Sequence, residues 1–135
     1  MKKGQVYKTL LLFLIRILGL NKASKLFVQF LEELHPVIKV QTKRGEILFS
    51  CPAYLPLWRA QTLLTKEPET IEWIDNFEDN SVLWDIGANI GTYSLYAALN
   101  ESTQIFAFEP ASTNYNILNE NIRINVKNPI YRFEK

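Results

Sequence analysis

Hydrophobic positions change their spacing along the chain, and each change marks an element. Leu10 to Leu20 is an almost unbroken apolar run, interrupted by Arg16, and predicts an N-terminal helix over residues 9–20. Val37 to Thr42 and Glu46 to Ser50 read as two strands joined by Lys43-Arg44-Gly45, a three-residue hairpin connection with glycine where positive φ is needed. Pro52 and Pro56 then bracket a segment expected to be a loop running into Trp58-Arg59. Ile71, Ile74 and Phe77 recur at helical spacing behind Pro68, a residue suited to a first helical turn. Val82, Leu83, Trp84 and Ile86 are apolar without alternation, as in a parallel strand covered on both faces, and Ile105 to Phe108 repeats the pattern. Trp73 and Trp84 are therefore expected in the core. A helix from Gly91 to about Leu99 separates these strands. Ser112 is placed to cap another helix to about Asn125, with Tyr115, Leu118 and Ile122 on one face, and Ile130 to Phe133 is expected to begin a third strand.

The two apolar strands end in chemistry. Val82 to Ile86 runs into Asp85-x-Gly87-x-x-x-Gly91, with Asn89 between the glycines. Gly87 lets the backbone turn sharply without a Cβ in the way, and Gly91 opens the following helix at the carboxyl end of the strand, where open α/β sheets bind ligands. A dinucleotide fold needs a middle glycine for close approach of a pyrophosphate. That glycine is missing here, and Asp85 would repel phosphates. The turn suits a ligand that offers an ammonium group, such as S-adenosylmethionine. Glu109, 24 residues beyond Asp85, stands at the end of the second strand, where Rossmann-like folds hold ribose hydroxyls.

Lys66-Glu67-Pro68-Glu69-Thr70, Trp73-Ile74, the run Trp84 to Ser94, and Phe108-Glu109-Pro110 together resemble the FkbM-type methyltransferases, a branch of the class I S-adenosylmethionine-dependent enzymes. Matching segments stay in register over about residues 46 to 125. The resemblance implies methyl transfer to oxygen on a sugar or other small metabolite. It implies that Asp85, Gly87 and Gly91 line the methionine end of the cofactor, that Glu109 holds the ribose, and that Asn89 is a further cofactor-binding residue. Glu67 and Thr70 come near the methionine carboxylate by the same likeness, although acids beside Pro68 also serve a helix start. The implied fold is a partial Rossmann-like α/β domain, strands one to three of a seven-stranded sheet ordered 3-2-1-4-5-7-6. Strand four onward is absent, so a truncated enzyme is expected, inactive alone and prone to self-association through its exposed first-strand edge.

Composition narrows the classes. With 135 residues, 47% of them hydrophobic and 13% aromatic, the chain suits one α/β domain (67–135) preceded by a basic helical region (1–36) and a hairpin with its loop (37–66). The single cysteine, Cys51, excludes an intrachain disulfide and is read as a small buried residue. With His35 as the one histidine, no metal cluster is expected. Charge is asymmetric: residues 1 to 45 carry nine of the fifteen Lys and Arg but only two acids. Lys2, Lys3 and Lys8 ahead of Leu10 superficially copy a signal peptide. The apolar run is nevertheless too short to span a bilayer and lacks a small-residue cleavage site. A core-packed helix is the first reading, with peripheral membrane contact through residues 1–20 as the alternative, in a cytoplasmic protein that binds no nucleic acid. Two functional rivals remain, a dinucleotide-binding oxidoreductase and a non-catalytic module that docks a partner through its basic helix and sheet edge.

Overall fold

The computed structural model describes residues 3–34 and 36–126, in two compact units divided at His35. The expected strand at Ile130 to Phe133 lies outside the described residues. Unit one is a pair of helices, α1 (Lys3–Leu18) and α2 (Leu20–Leu34). They are separated by Gly19, whose φ of 77° favours glycine. Leu11, Leu14 and Leu18 of α1 with Leu26, Phe27 and Phe30 of α2 line one apolar hollow of about 350 Å³. Leu10, Leu12, Phe13 and Ile17 are exposed, which corrects the expectation of a core-packed helix. A single run of leucines covers the whole circumference of α1, and one neighbouring helix can shield only part of it. No described helix is long and apolar enough to cross a membrane.

Unit two is mixed α/β and begins with the hairpin. Strands β1 (Val37–Gln41) and β2 (Glu46–Ser50) pair antiparallel, with Gln41 opposite Glu46 and Val37 opposite Ser50. Their loop, Thr42 to Gly45, is one residue longer than predicted. The Thr42 hydroxyl closes it, donating to the Gly45 carbonyl at 2.8 Å and accepting from the Arg44 and Gly45 N–H groups. Ile47 and Phe49 are completely buried, whereas the β1 side chains are at most half-buried.

The segment expected to be a loop is a helix, α3 (Tyr54–Gln61). Pro56 is tolerated because it occupies the first turn, where backbone N–H groups lack intrahelical partners in any case. Helix α4 (Pro68–Asp75) starts at Pro68 as predicted and buries Ile74. Trp73 does not join it: the indole is exposed and meets the Phe77 ring edge-on at 4.8 Å.

Next come β3 (Val82–Ile86), α5 (Thr92–Ala97), β4 (Gln104–Phe108) and α6 (Ser112–Val126). The strands β3 and β4 run parallel, Val82 beside Gln104 and Ile86 beside Phe108. Leu83 is buried on the face that carries α5, together with Leu95, Tyr96 and Ala97. No described element covers the opposite face. Val82, Trp84, Ile86, Phe106 and Phe108 are all exposed on it, Trp84 at 63%, with its ring leaning on both phenylalanines at 5.8 and 5.7 Å. This corrects the expectation of Trp84 in the core. An unbroken apolar run shows that both faces are built for burial, not that this segment of chain supplies both covers.

Two asparagines of α6 join the hairpin to the β3–β4 pair. The Asn121 carbonyl accepts from the Ser50 N–H at 2.7 Å while its amide donates to the Ile90 carbonyl at 2.8 Å. One turn on, Asn125 accepts from the Leu48 N–H and donates to the Leu48 carbonyl. Both side chains are buried, and they occupy the edge of β2 as a neighbouring strand would.

Candidate functional site

The turn after β3 is held by hydrogen bonds on all sides. The Gly87 and Ala88 N–H groups both donate to the Phe108 carbonyl, at 2.8 and 3.0 Å. Gly87 has φ 89° and open space where a Cβ would stand. Asn89 follows in the left-handed region at φ 55°, a conformation asparagine tolerates better than most residues, and its N–H donates to Glu109 at 2.8 Å. The other Glu109 oxygen accepts from the Ala111 N–H at 2.8 Å. One carboxylate thus ties together the turns that end β3 and β4. The Ala111 N–H, aided by those of Asn89 and the Asn114 amide and by the charge of Arg59, holds Glu109 below the usual carboxylate range.

Beside this turn lies a pocket of about 280 Å³ lined by residues of the α3 end, the following loop, the turn and the start of α5. Among the predicted residues, Asp85, Gly87, Asn89 and Glu67 line it. Asp85 accepts a 2.5 Å hydrogen bond from the Ser94 hydroxyl, which is completely buried beneath it. Asn89 contributes a buried Oδ1 with no partner within the described residues.

Three predicted residues stand elsewhere. Glu109 reaches the pocket through the turn it pins rather than by lining it. Gly91 packs: a Cβ there would lie 2.6 Å from Leu118 of α6, and φ is 84°, so the residue seats the helix and does not line the pocket. Thr70 stands close enough to Glu67 to help lower its pKa, again outside the lining. Glu67 is ion-paired with Lys66 at 2.7 Å and also accepts from the Tyr93 hydroxyl; these bonds, Lys66 first, lower its pKa. Glu67 thus lines the pocket as an ionised carboxylate already engaged by the neighbouring Lys66.

Sequence reasoning missed Arg59, Thr62, Lys66 and Thr92 as lining residues. Tyr93 is pushed up to about 12 by burial and by the neighbouring Glu67. Arg59 had one signal available, a lone charge inside the apolar stretch from Tyr54 to Ala60. Cys51 is buried as predicted, with its thiol pushed up by burial and donating to the Phe49 carbonyl. No cluster of metal-binding side chains occurs among the described residues.

The chain resembles one characterised enzyme in sequence. It is 30% identical over 73 residues to the hexuronic acid methyltransferase AglP of Haloferax volcanii, a stretch covering 54% of this chain. The match spans 30% of the length of that relative. No family model matches the chain. No solved structure matches it either. A pocket at the carboxyl end of a parallel strand, walled by two carboxylates, thus occurs in a chain related in sequence to a methyltransferase.

Proposed function

We propose that this chain forms the donor-binding part of an S-adenosylmethionine-dependent methyltransferase of the FkbM type, built on a Rossmann-like arrangement of β3, α5, β4 and α6. The acceptor is oxygen on a sugar or other small metabolite, in keeping with the sugar acid named for the relative. The observation that carries the reading is the convergence of Asp85, Gly87 and Asn89 on one pocket whose turn is pinned by Glu109.

S-adenosylmethionine, when bound, supplies a methyl group activated on a sulfonium. The protein's part is to hold and orient. Asp85, fixed by Ser94, takes the ammonium group. Glu109, which stands just outside the pocket lining at the end of β4, keeps lone pairs beyond its two backbone bonds, and ribose hydroxyls extending past the pinned turn donate to it. Asn89 Oδ1 accepts a further N–H or O–H, and the missing Cβ of Gly87 leaves room for the ligand chain. Held in this way, the methyl group gains its rate advantage from alignment with the acceptor oxygen. The same acids disfavour a pyrophosphate, which weakens the oxidoreductase alternative.

Equilibrium dialysis of the chain against labelled S-adenosylmethionine and NAD tests the reading. Binding of the former, weakened about 10- to 100-fold by Glu109→Ala, is expected, since hydrogen bonds to a charged acceptor are lost. Retention of NAD in preference would overturn it.

A further inference from the structure

We infer that Arg59 is the carboxylate-binding subsite of this pocket, an inference that rests on the donor-binding reading above and deepens it. Arg59 stands in the last turn of α3 and lines the pocket with Thr62 and Lys66. Its Nε is buried and has no hydrogen-bond partner within the described residues. A buried N–H without an acceptor is costly, and in a native fold it calls for a ligand or a bound group.

Among the described residues the other half-buried guanidinium, that of Arg44, is anchored differently. Arg44 gives its Nε to the Asp75 carboxylate at 2.9 Å and one terminal nitrogen to the Asp75 carbonyl at 2.8 Å, so that only its second terminal nitrogen is left buried without a partner. Arg59 forms no such fork with any described residue, and Glu109 feels only its charge. The second cation of the pocket, Lys66, is already paired with Glu67. Arg59 is therefore the pocket cation left for an anion.

The chemical class of that anion follows from the surroundings. Asp85 and Glu67 repel a polyanion such as a pyrophosphate but accommodate a zwitterion, whose cationic groups they face while its carboxylate meets Arg59. A planar guanidinium matches a carboxylate with two parallel hydrogen bonds, stronger than either alone. The carboxylate comes from the amino-acid end of S-adenosylmethionine or from a sugar-acid acceptor.

Equilibrium dialysis of the 135-residue chain with three probes decides. The probes are S-adenosylmethionine, its decarboxylated analogue, and glucuronate in the presence of S-adenosylhomocysteine. The expected result is that S-adenosylmethionine binds about 10- to 100-fold more tightly than the decarboxylated analogue, and that Arg59→Gln erases this ratio by weakening S-adenosylmethionine alone. Arg59→Lys restores part of it, as a point charge without the fork. Unchanged affinity of Arg59→Gln for the decarboxylated analogue reports an intact pocket. If the two cofactor forms bind equally but Arg59→Gln abolishes glucuronate retention, the subsite stands and the acceptor supplies its ligand. The inference falls if Arg59→Gln leaves both the ratio and glucuronate binding unchanged, or weakens both cofactor forms alike, while the donor-binding reading survives. Absence of S-adenosylmethionine binding by the unaltered chain would sink both.

Discussion

The strands β2 and β3 solve the same problem differently. Each has a partner strand on one side, and each presents apolar side chains that need cover. β2 is closed: Ile47 and Phe49 are buried, and its free edge is taken by Asn121 and Asn125 of α6. β3 is closed on the α5 side only, with Val82, Trp84 and Ile86 exposed on the other. Buried polar bonds specify one seam, and unplaced apolar area marks the other as a surface still able to take a partner. Stability should therefore reside at the α6 seam, and association at the β3 face.

The largest test removes Asn121. Asn121→Ala leaves the Ser50 N–H and the Ile90 carbonyl without their partner, and a loss of about 2 to 4 kcal/mol is expected in urea unfolding. A loss below about 1 kcal/mol would show that the seam is packing rather than hydrogen bonding. Next comes Gly91→Ala, which combines a strained positive φ with a collision against Leu118. About 1 to 3 kcal/mol should be lost, and Leu118→Ala in the same chain should recover part of the collision term but none of the backbone strain.

A third test uses pH at the hairpin turn. Burial alone would raise Asp75, but hydrogen bonds from Lys43 and Tyr96 and the charge of Arg44 hold it below its ordinary 3.8. Tyr96 is pushed up to about 12 by burial and by its bond to Asp75. A lowered acid contributes stability above its unfolded pKa and loses it as pH falls through the folded value; a raised phenol contributes below its unfolded pKa and loses it as pH rises. Stability should thus drop below about pH 4 and again between about pH 10 and 12. Asp75→Asn should flatten the acid limb relative to the unaltered chain; an unchanged limb would assign it to other groups. The smallest effect on stability belongs to Trp84→Gln, within about 0.5 kcal/mol because the ring is exposed. Sedimentation should nonetheless show concentration-dependent association of the unaltered chain that this change weakens. Equal association in both would clear the β3 face.

Local chemistry was legible in the sequence wherever neighbours in the chain decide it. The hairpin strands, the Pro68 helix start and the turn from Asp85 to Asn89 depend on residues a few positions apart. Covering depends on distant elements, so Trp73 and Trp84 were misread: their size implies burial without saying what lies opposite. Two prolines hid α3, since Pro56 reads as a breaker unless its place in the first turn is known. The pocket wall of Arg59, Thr62 and Lys66 was hidden because α3 and its loop meet the β3 turn only in the fold.

The α6 clasp on β2 also sets an order of events. Ser50 waits 71 residues for Asn121, and Leu48 waits 77 for Asn125. At a synthesis rate of about 5 to 20 residues per second, the β2 edge emerges about 4 to 15 seconds before its clasp exists. During that interval the hairpin is an open template for other strands.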